Sequence, residues 1–167
     1  MFNVLNLQQW INENRHLLQP PVNNKEIYPG GEFIIMVVGG PNQRKDYHYN
    51  ETPEFFYQLE GNIQLKLMVD GQPQTVDIKQ GEIYLLPSKT PHSPQRQAGT
   101  IGLVIEQKRS PEHTDGFLWY CEACHHKLHE VYLKLENIET QMPLLFKAFK
   151  EQTELHTCKA CGHQNSF

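Results

Sequence analysis

The longest unbroken apolar run in this chain, residues 33–38, is six residues long. After it, turn-forming residues return every few positions. Segments 54–59 and 63–69 flank Glu60-Gly61-Asn62, which reads as a hairpin connection. Asp70-Gly71 is a strong two-residue turn signal. Segments 75–78, 83–86 and 101–106 continue the series. Strands this short, with turns at this rate, predict a mainly β chain closed as an antiparallel barrel or jelly roll. Ahead of them, Leu7, Trp10, Ile11, Leu17 and Leu18 recur at roughly helical spacing. A short amphipathic helix over 7–18, ended by Pro20-Pro21, is expected there.

With 167 residues the chain is long enough for one core without disulfides. Its net charge of −4 gives no global basic field, so no nucleic-acid partner is expected. No apolar run can span a bilayer, and no membrane partner is expected. The first residues lack a basic segment followed by an apolar one and do not read as a signal peptide, so a cytoplasmic location is expected. In that reducing compartment, cysteines in CxxC pairs are metal ligands more often than disulfides.

Composition changes near Lys108-Arg-Ser-Pro111. Residues 1–110 read as a barrel with an N-terminal helix. Residues 111–167 read as a small extension packed on the same domain, with a short helix around 143–152. The extension carries Cys121, Cys124, Cys158 and Cys161. Each CxxC turn points two sulfurs at one centre, and two turns complete a tetrahedron, as in rubredoxin and zinc ribbons. Such a closed site has no open position, so its role is structural. Iron and zinc fit these thiolates equally well.

A second donor set lies in the barrel segment. Glu54 precedes Gly61 by seven residues, and His48 precedes Glu54 by six. Further on, Gly81, Pro87, His92 and Arg96 fall at fixed offsets. This spacing resembles the two signature motifs of the cupin superfamily, with three departures. Asn50 stands where a second His is usual, Lys89 where a Gly is usual, and Arg96 where an Asn is usual. Losing one imidazole leaves His48, Glu54 and His92. A two-His, one-carboxylate set holds Fe(II) while leaving about three positions for substrate and dioxygen. Arg96, four residues past a ligand, can grip a carboxylate through two parallel hydrogen bonds. Arg44 is a second candidate interior cation. Glu106, bounded by the apolar residues 101–105, is either its partner or a proton acceptor.

Together with Pro21-Val-Asn-Asn24, the run from Gly39 to His48, the run from Glu54 to Gly61, Pro91-His92-Ser-Pro94-Gln-Arg96 and the two CxxC pairs, these residues closely resemble the short bacterial 3-hydroxyanthranilate 3,4-dioxygenases. The resemblance covers nearly the whole chain. It implies a cupin-type jelly roll with a rubredoxin-like extension. It also implies one catalytic Fe(2+) on His48, Glu54 and His92, and a second iron on the four cysteines. Arg96, Glu106 and Glu54 are then substrate contacts, Arg44 contacts dioxygen, and Asn24 lies near the substrate. The implied reaction opens the ring of 3-hydroxyanthranilate with O2. The product, 2-amino-3-carboxymuconate semialdehyde, closes to quinolinate, a precursor of the nicotinamide ring of NAD. A homodimer is implied as well.

Two other readings compete. Another cupin enzyme would keep the metal set but act on a different substrate; Arg44, Arg96 and Glu106 favour a small anionic aromatic. A non-enzymatic regulator would need a basic stripe for nucleic acid, and the lysines of the extension are interspersed with acids. Cys121-Glu-Ala-Cys124-His125 also spells a c-type haem attachment, which leaves Cys158 and Cys161 unexplained.

Overall fold

The computed structural model describes residues 4–20, 23–42, 44–135 and 138–166. Helix α1 spans Leu7–Asn14 and continues as a 3-10 turn over Arg15–Leu18. The Asn6 side chain caps it, accepting a hydrogen bond from the Gln9 amide at 2.9 Å. Of the two prolines expected to end it, Pro21 lies outside the described residues. Eleven strands follow among the described residues: β1 Asn24–Glu26, β2 Phe33–Gly39, β3 Tyr47–Tyr49, β4 Glu54–Glu60, β5 Ile63–Val69, β6 Gln72–Ile78, β7 Ile83–Leu86, β8 His92–Arg96, β9 Ile101–Gln107, β10 Asp115–Tyr120 and β11 Lys127–Leu133. Helix α2 spans Ile138–Glu151 and α3 Thr153–His156.

The strands pair antiparallel in two sheets. One runs β1-β2-β9-β4-β7, the other β11-β10-β3-β8-β5-β6. Alternating residues of β2, β4, β5, β6, β7 and β9 meet between the sheets. Met36, Phe56, Ile63, Leu65, Leu67, Ile78, Leu86 and Val104 form that core. Helix α1 packs on the outer side of the first sheet through Ile11 and Leu18 against Val37 and Ile101. Asp70 and Gly71 both take positive φ and join β5 to β6 with Val69 opposite Gln72, the tight hairpin expected of that pair.

The connection at Glu60-Gly61-Asn62 is not the hairpin that its turn residues suggest. β4 pairs with β7 and β9, whereas β5 pairs with β6 and β8. Gly61, at positive φ, turns the chain from one sheet to the other. Each strand buries its own alternate residues in the shared core, so facing each other serves them better than lying side by side.

The stretch after residue 110 supplies β10 and β11 to the second sheet, β10 pairing directly with β3. Sheet pairing therefore crosses the expected boundary. Phe117, Trp119 and Phe149 form a third core, with Leu145 and Phe146 of α2 against it. α2 begins earlier than expected and holds Pro143 inside it. Pro143 is the sixth residue of that helix, beyond the first turn, so the helix forgoes one backbone hydrogen bond there. Among the described residues no helix is long and apolar enough to cross a membrane.

Candidate metal centres and cavity

β3 and β8 pair at one point, His48 opposite His92. In the facing sheet β4 and β9 place Glu54 opposite Glu106. The two sheets thus aim two imidazoles and two carboxylates into one end of the barrel. Donor atoms of His48, Glu54 and His92 lie within 4.8 Å of one another, and all three residues are buried. The Thr90 carbonyl lies 3.0 Å from His92 Nδ1 and accepts a hydrogen bond from it, which leaves Nε2 as the nitrogen that faces inward. Glu54 Oε2 sits 3.0 Å from that Nε2, yet this oxygen is buried without a hydrogen bond of acceptable geometry. A buried carboxylate oxygen and an inward imidazole nitrogen that converge this closely suit a shared cation, which would replace the proton the pair otherwise holds. Burial lowers His48 below the ordinary imidazole range, favouring the neutral, ligating form. Burial works against charge on both partners of the other pair, but their mutual attraction wins: His92 is held high and Glu54 low.

Asn50 stands where many cupins have a fourth donor, and it points elsewhere. Its Nδ2 donates to Glu106 Oε2 at 3.2 Å, and its Oδ1 accepts from the Thr52 amide and hydroxyl. Lys89, standing where a glycine is usual, takes φ 61°, so the backbone there keeps the conformation a glycine would supply.

Two residues that sequence reasoning passed over complete the polar network. Asp115 Oδ1 lies 2.8 Å from His48 Nε2. Arg109 donates to both oxygens of Asp115 at 2.7–3.1 Å, and its Nη2 also lies 2.8 Å from Glu106 Oε2. A carboxylate opening the apolar run 116–120 was a signal of the same kind as Glu106. Burial, with the Glu54 charge adding to it, pushes the Glu106 carboxyl up to about 7 against the pull of Arg109.

The other candidate residues line one cavity of about 1020 Å³ that holds the three donors. Asn24, Arg44, Arg96 and Glu106 are in its wall, with Phe56, Val104 and Phe117, and with Met142, Pro143 and Phe146 of α2. Arg44 is already paired: it binds Asp46 through both Nε and Nη2, and its guanidinium lies 6.0 Å from the centre of the Phe146 ring. Arg96 differs. It is 3 % exposed and forms no ion pair among the described residues; Nη1 donates to Gln58 Oε1 at 3.3 Å. Burial lowers it to about 10, with the Arg44 charge adding to it, against the more distant attraction of Glu54.

The four cysteines also converge within 4.8 Å of one another. Cys121 and Cys161 sulfurs are 3.7 Å apart, and those of Cys124 and Cys158 are 3.6 Å apart. The two knuckles share a backbone pattern. The His125 amide donates to the Cys121 carbonyl and the Gly162 amide to that of Cys158, both at 2.9 Å, and both donors take positive φ. Asn165 ties the second knuckle to the first, donating to the Tyr120 carbonyl and accepting from the Glu122 amide. Burial opposes ionisation of Cys158, but the backbone N–H groups of Cys161 and Ala160 bring it down to about 7. The His126 amide favours the Cys124 thiolate, yet the facing thiols push Cys124 up to about 12. Four thiols competing for shared protons are a set that a cation replaces. A haem attachment would need Cys121 and Cys124 to stand clear of the other pair, and they do not.

Comparison with known proteins agrees with this architecture. A cupin-2 domain protein from Shewanella frigidimarina superposes with a TM-score of 0.50 at 21 % identity, covering 63 % of this chain and 95 % of that one. A 3-hydroxyanthranilate 3,4-dioxygenase of Xanthomonas campestris pv. campestris is 56 % identical over 159 residues, 95 % of this chain and 90 % of the relative. One of Paraburkholderia phytofirmans is 48 % identical, over 95 % of this chain and 91 % of the relative. The sequence model of the 3-hydroxyanthranilic acid dioxygenase family matches residues 1–150, and this chain belongs to that family.

Proposed function

We propose that this chain is a 3-hydroxyanthranilate 3,4-dioxygenase. It opens the ring of 3-hydroxyanthranilate with O2 to give 2-amino-3-carboxymuconate semialdehyde, both oxygen atoms entering the product. The amine then condenses with the aldehyde, releasing water and forming quinolinate, which feeds NAD synthesis. His48, Glu54 and His92 hold a catalytic Fe(2+). When bound, ferrous ion supplies the chelation point for the neighbouring hydroxyl and amino groups and the redox chemistry with dioxygen.

The observation that carries this reading is Arg96, a buried guanidinium without a carboxylate partner among the described residues, in the cavity that holds the three donors. A charge buried this way is costly until a counter-ion arrives. The carboxylate of an anionic aromatic supplies one, with the two-pronged geometry that guanidinium favours. Glu106, raised to about 7, is placed to take a proton as the hydroxyl or amine loads. Arg44, kept charged by Asp46, faces the space where negative charge develops on dioxygen. Glu54 and Asn24 complete the substrate contacts. Anaerobic loading with Fe(2+), followed by 3-hydroxyanthranilate and air, should produce the near-ultraviolet band of the semialdehyde. No band, with iron bound at one equivalent, would reject the assignment.

Cys121, Cys124, Cys158 and Cys161 hold a second iron, or zinc, whose role is structural. Residues 1–110 and 111–167 then act as one domain, each carrying one metal. The protein works in the cytoplasm as a homodimer. What supports the dimer is the outer face of the first sheet, where Ile35, Ile105, Phe55 and Leu85 lie in one register row. Ile83 and Leu85 on its edge strand are 65 % and 63 % exposed. Sedimentation of Leu85→Glu beside the parent chain tests it; an unchanged mass for both at the dimer value would move the interface elsewhere.

A further inference from the structure

Gln58 is among the most deeply buried side chains of the barrel and is not part of the donor set. It lies on β4 opposite Gly102 of β9. Arg96, from β8 of the other sheet, reaches across the barrel to both. The Gln58 amide is oriented by its own bond: Nε2 donates to the Glu60 carbonyl at 2.8 Å, which leaves Oε1 facing Arg96 Nη1. Gly102 provides the floor. A Cβ there would lie 2.9 Å from Arg96 Nη1, 3.3 Å from Nη2 and 2.9 Å from Gln58 Oε1. The guanidinium therefore rests against bare backbone in a slot that any side chain would fill. The Arg96 backbone is pinned independently, its N–H donating to Asn42 Oδ1 at 2.9 Å and its carbonyl accepting from the Asn42 N–H at 3.1 Å.

We propose that Gln58 and Gly102 are positioning residues for the substrate carboxylate: they form a neutral cradle that aims Arg96 without neutralising it. The inference rests on the reading of Arg96 as the carboxylate anchor. The chemistry lies in the choice of glutamine. A carbonyl oxygen orients an N–H of the fork but carries no charge, so Arg96 keeps its full attraction for an incoming anion. A glutamate in the same place would satisfy the guanidinium internally, and a ring carboxylate would then have to compete with it. The same cradle makes affinity depend on the substrate having that carboxylate. An aminophenol without one gains nothing from an aimed cation.

Two variants and a paired ligand test this. Gln58→Glu keeps the shape and adds the counter-charge. Gly102→Ala takes no counter-charge but pushes the guanidinium off its floor. Gly102 lies in a strand without positive φ, and the atoms in the way are the ends of flexible side chains, so this variant keeps the fold even if Gln58→Glu does not. Each Fe(2+)-loaded variant is titrated anaerobically with 3-hydroxyanthranilate and with 2-aminophenol. The expected result is affinity for 3-hydroxyanthranilate weakened about tenfold to a hundredfold. Affinity for 2-aminophenol should move by less than about twofold, because losing one charged hydrogen bond affects only the ligand that makes it. In turnover, KM should rise while kcat at saturation holds. Equal weakening for both ligands would mean a merely structural role and would overturn the proposal, as would no change in either variant. Arg96→Ala separates the two levels. If it weakens 3-hydroxyanthranilate while Gln58→Glu and Gly102→Ala do not, the anchor stands and the cradle falls; if Arg96→Ala itself changes nothing, the anchor reading fails first.

Discussion

The two donor clusters of this chain invert a common intuition about exposure. The barrel set, proposed to do the chemistry, is the buried one: His48, Glu54 and His92 are all under one-tenth exposed. The thiolate set, proposed to be structural, has Cys124 and Cys161 exposed at the surface. What separates them is donor number and neighbours. Four thiolates close a tetrahedron, so solvent contact gives a substrate nothing to bind. Three mixed donors leave positions open, and around them the fold gathers a cavity, a cation with no ion pair among the described residues and a carboxyl raised to about 7. Reactivity follows from what the protein leaves uncompensated.

The comparison breaks most sharply at the ligands. His48→Ala should cut turnover at least about a thousandfold, since the open centre depends on every donor. Metal analysis of the same variant should show one equivalent lost and one retained. Loss of both would mean that the two clusters are a single folding event. The next effect is at the unpaired cation. Arg96→Ala should raise KM about a hundredfold, the value of a charge-assisted two-pronged bond, with kcat less affected. Arg96→Lys should fall between, because the charge stays and the fork is lost. A KM that does not move for either variant would remove the carboxylate anchor.

Acidity gives a smaller, graded effect on the barrel side alone. Glu106 is raised, so below about pH 7 it holds a proton and cannot accept one from substrate. kcat/KM should therefore fall as pH drops through that value, approaching about tenfold per pH unit for a single proton. Glu106→Gln should lower the plateau and flatten that limb. A limb that persists unchanged in Glu106→Gln belongs to another group.

The convergence of the three candidate donors was legible because motif spacing encodes strand register: His48 and His92 sit opposite each other across two strands, and fixed offsets are the trace of that pairing. Arg96 was legible for the same reason. Gln58 was not, because its partner is 38 residues away and no local pattern marks such a pair; Asp115 carried the same signal as Glu106, but nothing local names His48, 67 residues away, as its partner. The role of Asn50 was half visible. Its sequence position said that a donor was missing, and only the structure shows its amide spent on Glu106. The connection at Gly61 was misread because the residues that make a tight hairpin also make a corner between sheets. Local turn chemistry does not say which strand lies alongside.

The smallest expected change in turnover sharpens the contrast most. Cys158→Ser removes one thiolate from the closed set, 3.6 Å from Cys124. The knuckles lie beside β10 and α3, whose Trp119 and Leu155 pack in the same core as Phe149, and Lys45 reaches Glu122 from the barrel side. Losing the metal should loosen that core, at a cost of about 3 kcal/mol, which for a chain of this size lowers the melting midpoint by about 6–12 °C. Yet none of the four cysteines lines the cavity that holds His48, Glu54 and His92. Turnover per barrel iron, measured well below the new midpoint, should stay within about threefold. Phe146 is a link that could defeat this: it touches Phe117 and Trp119 on one side and lies under Arg44 on the other. A tenfold loss per iron would show that the thiolate centre sets the position of Arg44 through that ring, and the two clusters would then be one device.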